Sequence, residues 1–354
     1  MTLRACGRFS NHMFTGKVDL IPRGSLLSTM ALALAATGIS AQQPDLTIGV
    51  LTGPEPQVFG HIRDVVVNAA GDVFVLDNQA TEVRWFDSNG EFRGRAGTNG
   101  SGPGELRSPQ GIGVDGSGDV LVLDPLNARI SRYRPGDTGL THVLDVPSPP
   151  ALDLCAMDGR IFLLRMRQDS VVTVLDGVGS VIAAWGSLLE PLPGHDLPPD
   201  EIRREQDNLA HLLCDPATST VTLLHERIPV VRRFSSAGVP VWEVELADYH
   251  QALDVRTPDE SDWTLAPDPE TGTAHSGRSI SVGQDDTLIV SLYEGSADGG
   301  RFEVRVLARD NGEELRRIPV PMVIESFVDG KVVGYVNSPV PRVLRFDWEA
   351  LSRR

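Results

Sequence analysis

Residues Gly71 to Phe92 read GDVFVLDNQATEVRWFDSNGEF, and residues Gly118 to Leu140 read GDVLVLDPLNARISRYRPGDTGL. Each segment contains a turn, an apolar strand that ends in Asp, a short polar loop and a second strand. A unit of strands that recurs along a chain determines the architecture before any single residue does. The sequence therefore predicts a repeat protein built from β-strands.

Weaker copies of this unit continue along the chain. They follow Gly159, Ser219, Asp286 and Gly330, and a short apolar stretch precedes the turn of every copy. Each unit then has four strands, which is the composition of a propeller blade. The sequence predicts an all-β fold, a six-bladed β-propeller with four-stranded antiparallel blades, over residues 42–354.

The last blade lacks its outer strand, because the chain ends at Arg354 soon after the third strand of that blade. The segment LTIGVL, residues Leu46 to Leu51, precedes blade 1 and has no other place to pair. We expect this N-terminal strand to close the last blade by pairing with residues near Val343 to Phe346, so that no apolar sheet edge is left open. The alternative is a disordered leader.

The second copy carries the most specific pattern. The loop NGSGPGELRSP from Asn99 is followed by a strand and then by the turn DPLNARISRY from Asp124. This succession resembles the NHL repeat, in which a G-x-G-P-G-E-L segment, a Pro-x-Gly strand and a D-x-x-N-x-R-I turn follow one another. The resemblance is close over about residues 59–144 and weaker beyond, so it implies a propeller and no particular function. We expect Asp124, Asn127 and Arg129 to be structural.

Residues 1–41 are predicted to form a secretory signal peptide. Cationic residues precede a short apolar run from Leu26 to Gly38, and small residues end at Ala41, before Gln42. This is the order of a signal peptide with a cleavage site, and the apolar run is too short for a membrane span. We expect a secreted or periplasmic protein without a lipid anchor.

The negative charge of the chain argues against polyanionic partners. Removal of residues 1–41 takes away four cationic residues and one acidic residue, which changes the formal net charge from −16 to −19 and leaves Lys331 as the only lysine. A chain this acidic, without a basic stripe, should repel nucleic acids and anionic membranes. We expect a monomer that binds a protein or a small anionic ligand.

Two cysteines remain after residue 41, and both end an inner strand. Cys155 and Cys214 stand at corresponding positions in consecutive blades. Inner strands of neighbouring blades approach each other closely near the axis, and a secreted protein folds in an oxidising compartment. A disulfide between them is one possibility, and two buried free thiols are the other.

The predicted binding surface is the face from which the long loops emerge. Two insertions, Ser187 to Asn208 and Ala247 to Arg278, join outer strands to inner strands on that face. Arg63 and Arg278 occupy matching positions at the entrances of inner strands, where two guanidinium groups would attract a carboxylate or a phosphate. Gln110 and His211 complete the predicted ligand-binding set. The alternative is that each arginine pairs with a neighbouring acid such as Asp64 or Asp285.

An enzyme is the alternative function, either a metal-dependent lyase or a lactonase-like hydrolase with its site in the axial funnel. His61, His211 and His275 are the candidate zinc ligands, an arrangement that resembles the amidating lyase, a six-bladed relative of the NHL group. The turn DGSGD from Asp115 has oxygen-rich spacing similar to calcium loops, but it lacks the downstream Glu. The sequence contains no catalytic motif that assigns a nucleophile, and we expect no cofactor.

Overall fold

The structure is a computed structural model, and it describes residues 42–167, 170–190, 205, 207–256, 263–296 and 299–353. The predicted signal peptide, residues 1–41, lies outside the described residues. Residues 191–204 and 206, which make up most of the Ser187 to Asn208 insertion, also lie outside them.

Six four-stranded antiparallel sheets form the ring of a β-propeller, as the repeats predict. The first strand of the chain, β1 (Leu46–Ile48), belongs to the last blade. The next twelve strands make up blades 1 to 3: β2 (Ile62–Val67), β3 (Val73–Asp77), β4 (Glu82–Phe86) and β5 (Phe92–Ala96); β6 (Gly111–Val114), β7 (Val120–Asp124), β8 (Arg129–Gly136) and β9 (Gly139–Pro147); β10 (Asp153–Met157), β11 (Arg160–Arg167), β12 (Ser170–Leu175) and β13 (Val181–Trp185).

The remaining strands make up blades 4 to 6 and one additional hairpin. Their bounds are β14 (Ala210–Asp215), β15 (Thr220–His225), β16 (Val230–Ser235) and β17 (Pro240–Glu245); the hairpin strands β18 (Leu253–Arg256) and β19 (Trp263–Ala266); β20 (Thr273–Val282), β21 (Thr287–Ser296), β22 (Gly299–Ala308) and β23 (Glu314–Val320); and β24 (Val323–Val328), β25 (Lys331–Val336) and β26 (Arg342–Asp347). The helical segments with described bounds are 3-10 turns at Glu55–Gln57 and Pro125–Asn127 and helix α1 (Trp348–Ser352).

The N-terminal strand closes the ring, which confirms the prediction. Strand β1 pairs antiparallel with β26, with Leu46 opposite Arg345 and Ile48 opposite Val343. Asp45 strengthens this junction, because its carboxylate lies 2.8 Å from Lys331 Nζ and 2.9 Å from Arg345 Nε. Both ends of the propeller domain therefore lie in one sheet.

The second and third strands of the blades form the core. Strands β3 (VFVLD) and β7 (VLVLD) are buried at every residue, because neighbouring blades cover both faces of each sheet and favour continuous apolar runs. Two tryptophans pack in the spaces between blades. Trp85 stacks on Phe74, and Trp185 packs against Phe234 of the next blade.

The Asp that ends each of these two strands holds the loop in front of the inner strand. The Asp77 carboxylate accepts hydrogen bonds from the amides of Gly60 and His61, at 2.7 and 3.1 Å. Asp124 accepts from the amides of Arg107 and Ser108, both at 2.9 Å. The polar repeat positions are thus structural, because they satisfy turn amides that would otherwise be unpaired.

The other two residues of the NHL-like turn have the structural role that we expected. Asn127 donates to Asp124 Oδ2 over 2.7 Å and to the carbonyl of Gly100 over 2.9 Å. Arg129 donates to the carbonyl of Gly102 over 2.6 Å and lies 3.2 Å from the Asp145 carboxylate. These bonds tie the loop before blade 2 to the strands of that blade.

A disulfide joins blades 3 and 4. Cys155 on β10 and Cys214 on β14 are bonded, with their Cα atoms 5.6 Å apart. Of the two possibilities that the sequence left open, the structure therefore contains the disulfide. It connects two inner strands directly beside the axis.

The turns between the third and fourth strands form a second set of contacts around the rim. Each of these turns in blades 1 to 5 contains a glycine with positive φ: Gly90, Gly139, Gly179, Gly238 and Gly312. Each glycine lies against the outer strand of the preceding blade. At Gly238 a Cβ atom would lie 2.3 Å from Trp185 Cγ, so a side chain is excluded by both conformation and space.

Blade 5 is longer than the other blades. Strands β20, β21 and β22 have ten residues each, whereas β2 has six. The extra residues extend from the face where the long insertions emerge. This extension corrects one detail of the sequence interpretation: Arg278 lies inside β20, five residues after its start at Thr273, and not at the entrance of the strand. The glycine-rich segment before Arg278 was interpreted as a loop, but it pairs with β21.

Candidate functional site

Three inner strands are interrupted by β-bulges, and the extra residue of each bulge is charged. The pairing of β2 with β3 skips Arg63, that of β20 with β21 skips Arg278, and that of β24 with β25 skips Glu325. These strands belong to blades 1, 5 and 6, which are consecutive in the closed ring. A bulge redirects the side chain of its extra residue, and such positions are frequent beside functional sites.

Arg63 lies close to the axis of the propeller. Its charge acts on Asp64 of blade 1, on Asp153 of blade 3, on Glu226 of blade 4 and on Glu325 of blade 6. Only a side chain near the axis can be close to groups from all these blades. Arg63 Nε donates to the carbonyl of Gln110 over 3.1 Å.

Arg278 lies beside the extension of blade 5. The residue is exposed, and its guanidinium carbon is 5.4 Å from the centre of the Tyr293 ring. Within the described ranges, neither Arg278 nor Arg63 forms an ion pair. The alternative that these arginines pair with Asp64 or Asp285 is therefore not what the structure shows.

The carboxyl groups of Asp64, Asp153 and Glu325 lie on inner strands near Arg63, around the axial channel of the propeller. Asp64 Oδ2 accepts a hydrogen bond from the Ile112 amide of blade 2 over 3.2 Å, and Asp153 Oδ2 accepts from the Leu212 amide of blade 4 over 2.8 Å. Glu325 accepts a hydrogen bond from the hydroxyl of Ser279 in blade 5. Each carboxyl group therefore also links two adjacent blades.

Burial near the axis raises the pKa of each of these three carboxyl groups. Burial raises the pKa of Asp64 to about 7, and the negative charge of Asp153 contributes to the increase, while Arg63 opposes it. Burial also raises the pKa of Asp153. The pKa of Glu325 is raised well above its usual range by burial and by the nearby Asp64. Part of this acidic charge is consequently absent near neutral pH.

His211 and Glu226 form an ion pair in blade 4. His211 Nε2 lies 3.3 Å from Glu226 Oε1. Burial by itself lowers the pKa of His211, but the carboxylate of Glu226 outweighs that effect and leaves the pKa raised. Burial likewise raises the pKa of Glu226, and the bond to His211 leaves it lowered. The contact therefore favours the charged forms of both side chains.

The other two predicted zinc ligands have separate partners. His61 Nδ1 is 3.1 Å from Asn78 Oδ1. His275 is buried, and its Nδ1 accepts a hydrogen bond from the His250 amide over 2.9 Å. Among the residues that the structure describes, no group of three or more His, Cys, Asp or Glu side chains is arranged to hold a metal ion.

The other candidates from the sequence, Gln110 and Asp115, form hydrogen bonds with neighbouring residues. Gln110 contributes its carbonyl to Arg63, while its side-chain amide donates to Ser108 Oγ over 3.2 Å. In the calcium-like segment, Asp115 Oδ1 accepts from the amides of Ser117 and Asp119, at 2.9 and 3.1 Å. That segment is a turn closed by its own hydrogen bonds.

Sequence reasoning missed Asp153, Glu226 and Glu325 as site residues. Asp153 and Glu325 had a recognisable signal, because each is a charged residue in a short, otherwise apolar inner strand. Such a residue must face the channel rather than the neighbouring blades. Glu226 had no such signal, since it follows strand β15 in a connecting segment.

Comparison with known proteins supports the fold and not a particular activity. Residues 51–162 match a family model, DUF5128, whose description is a 6-bladed beta-propeller. No curated protein matches the sequence. No helix in the described part of the chain is long and apolar enough to cross a membrane.

Two solved structures show the same architecture at low identity. One is a crystal structure from Bacteroides vulgatus of a member of the DUF4221 family, with a TM-score of 0.56 and 10% identity over 86% of this chain and 97% of that chain. The other, from Bacteroides fragilis, is provisionally described as an exported protein and has a TM-score of 0.53 and 13% identity over 82% of this chain and 83% of that chain. Both similarities concern the fold alone.

Proposed function

We propose that this chain is a secreted or periplasmic binding protein whose loop-rich face takes a ligand with a carboxylate or phosphate group into the axial funnel. One observation carries the proposal: Arg63 and Arg278 are the extra residues of bulges in inner strands, and neither forms an ion pair among the described residues. A guanidinium presents a planar pair of donors that matches both anions.

The electrostatics of the funnel support an anion rather than a cation. The propeller domain as a whole is strongly acidic, so two unpaired arginines create a local positive potential. The carboxyl groups behind them do not cancel this potential completely, because burial raises the pKa values of Asp64 and Glu325. The loop-rich face is also where a rigid scaffold usually presents functional residues.

The experiment is a thermal-shift screen of small anionic metabolites and peptides. The wild type is compared with the Arg63→Ala/Arg278→Ala double variant, and the matched control is Arg93→Ala/Arg316→Ala, which removes the same charge from outer strands β5 and β23. We expect ligands that stabilise the wild type and the control, but not the funnel variant. Equal stabilisation of all three proteins would contradict the proposal.

An enzyme is the second candidate, and one observation favours it. A carboxyl group with a pKa of about 7, Asp64, faces a channel that also contains the His211–Glu226 pair. A group that exchanges protons near neutral pH can serve as a general acid or base. This candidate would be a lactonase-like hydrolase or a lyase.

Two measurements separate the enzyme from the binding protein. Turnover of a panel of lactones that disappears in Asp64→Asn, while the melting temperature is retained, would favour the hydrolase. Metal analysis of the purified protein with stoichiometric zinc or calcium would favour the metal-dependent lyase. Ligand binding without turnover and without metal would favour the binding protein.

The relation to NHL repeats and the export of the chain belong to the same proposal. The repeat signature is supported by the bonds that Asn127 and Arg129 make to the loop before blade 2. Export is supported by the order of charged, apolar and small residues before Gln42, by the Cys155–Cys214 disulfide and by the exported description of one structural neighbour. Mass spectrometry of the protein recovered from culture would test export, with Gln42 as the expected first residue.

A further inference from the structure

The two arginines of the proposed site are close to the same two groups. Burial raises the pKa of Glu226, which follows β15 in blade 4, while His211, Arg278 and Arg63 lower it. Burial also raises the pKa of the Tyr335 hydroxyl in blade 6, and both arginines oppose this increase. An electrostatic effect of this kind decreases with distance. Arg63 and Arg278 therefore extend into one space, although they come from blades 1 and 5.

The side chains around this space have surface that water can reach. Arg63, Glu226 and Tyr335 are each partly exposed, and Arg278 is exposed. The Tyr335 hydroxyl lies 3.4 Å from the carbonyl oxygen of Arg63, which is long for a hydrogen bond. This hydroxyl is therefore beside the bulge of β2, where a ligand oxygen can replace its weak contact.

Both guanidinium groups have donors that no described residue uses. Arg63 donates from Nε to the carbonyl of Gln110, and its two terminal nitrogens form no hydrogen bond within the described ranges. The Arg278 guanidinium packs on the Tyr293 ring and has no hydrogen-bond partner in the part of the chain that the structure describes. Packing of this kind leaves the edge of the planar group free to bind an anion.

The charges around this space favour two additional negative charges. Glu226 balances neither arginine, because its counter-charge is His211, at 3.3 Å. Burial raises the pKa values of Asp64, Asp153 and Glu325, so part of their negative charge is absent near neutral pH. A protonated carboxyl group can also donate a hydrogen bond to a ligand oxygen.

We infer that the funnel selects ligands with two negative charges, a dicarboxylate or a phosphate monoester, over ligands of similar shape with one. This inference rests on the proposed function and adds the charge of the ligand to it. A single carboxylate is matched by one guanidinium and leaves the other arginine unbalanced, whereas a doubly charged ligand gives both Arg63 and Arg278 a counter-charge. A phosphate group has three terminal oxygens and can bridge both guanidinium groups.

The test compares ligands in pairs that differ by one charge. Succinate is compared with succinamate, in which an amide replaces one carboxylate, and methyl phosphate is compared with dimethyl phosphate. Binding is measured by calorimetry at about pH 7.5, where a phosphate monoester, with a second pKa of about 6, is mostly doubly charged. We expect the doubly charged member of a pair to bind roughly tenfold more tightly. A preference within the first pair identifies a dicarboxylate, and a preference within the second identifies a phosphate monoester.

Single variants connect this preference to the two arginines. Arg63→Ala and Arg278→Ala should each weaken binding of the doubly charged ligand by roughly tenfold and remove most of the preference over its singly charged counterpart. Arg278→Lys retains the charge and should retain the preference. The matched control Arg93→Ala removes the same charge from outer strand β5 and should leave all affinities unchanged.

The outcomes separate this inference from the proposed function. Equal affinities within both pairs, with binding lost in the Arg63→Ala/Arg278→Ala double variant, would overturn the preference for two charges and leave the anion-binding function in place. Equal effects of Arg93→Ala and Arg278→Ala would also overturn the preference. The absence of any binding that depends on Arg63 and Arg278 would overturn both proposals.

Discussion

Arg309 of blade 5 donates a hydrogen bond from Nε to Asp215 Oδ2 of blade 4 over 2.7 Å, although the two residues are 94 positions apart in the sequence. The same carboxylate accepts from Arg233 Nη2 over 2.6 Å. Asp215 and Arg233 are almost fully buried. One carboxylate therefore pairs with two arginines and joins two blades.

Replacement of this carboxylate should be costly. Asp215→Asn leaves buried Arg233 without its counter-charge, and we expect a loss of about 3 kcal/mol in the free energy of unfolding. The matched control is Asp286→Asn, because Asp286 also contacts Arg309, at 3.4 Å, but is 89% exposed. Urea titration should show a change below about 0.5 kcal/mol for the control.

The carboxylate of Asp215 also predicts that the stability of the protein decreases in acid. Burial raises the pKa of Asp215, but hydrogen bonds from Arg309, Thr218 and Arg233 outweigh burial and leave the pKa below 3.8. The unfolded state then binds the proton more readily, so this contribution is present above about pH 4 and is lost as the pH falls further. The difference in the free energy of unfolding between the wild type and Asp215→Asn should become smaller below pH 4. A constant difference down to pH 2 would contradict this explanation.

Glu325 predicts the opposite dependence. Its pKa is raised above 4.5 by burial and by Asp64 and Asp153, so the folded state binds the proton more readily than the unfolded state. Stability from this group is present below the unfolded pKa and is lost as the pH rises. Glu325→Gln cannot ionise and should gain stability relative to the wild type between pH 4 and pH 8. The control Glu349→Gln, at a side chain that is 75% exposed, should show no such trend.

The Cys155–Cys214 disulfide encloses a segment with a sequence separation of 59. In the chain-entropy model, a loop of this length contributes about 4 kcal/mol to the free energy of unfolding. We expect the Cys155→Ser/Cys214→Ser variant to lose stability of that order. Intact-mass measurement after alkylation under denaturing, non-reducing conditions should find no labelled thiol among these two residues in the wild type. Two labelled thiols would mean that the bond is not formed.

Deletion of residues 42–51 should destabilise the whole ring. It removes β1 from β26 and exposes the edge from Val343 to Arg345. It also removes the Leu46 side chain, against which the Gly90 turn of blade 1 lies. We expect a lower melting temperature for a chain that begins at Thr52 than for one that begins at Gln42. Equal melting temperatures would show that β1 is dispensable.

The sequence predicted the strands more completely than the site. Strands such as β3 and β7 depend on local patterns, because their residues are apolar throughout and their turns contain Gly and Asp. The extensions of the blade 5 strands were missed because they contain glycine, as at Gly277 and Gly299. Local composition there indicates a loop, and pairing with the neighbouring strand overrides it.

The site depends on the closure of the ring. Arg63 and Arg278 were predicted from their matching positions, but the bulges that direct them arise from the pairing of complete strands. The carboxyl groups of Asp153 and Glu325 come from blades that are distant in the sequence, and their proximity to Arg63 exists only in the assembled channel. A single sequence contains no direct signal of that proximity.

The pairing of Lys331 with Asp45 makes the closure of the ring chemically observable. Residues 42–354 contain a single lysine, and its Nζ lies 2.8 Å from Asp45 at the junction of the first and last strands. Apart from the amino terminus, an acylating reagent therefore has one amine to modify in this domain. The contact with Asp45 should slow that modification, so mass spectrometry can compare this junction between variants without an introduced label.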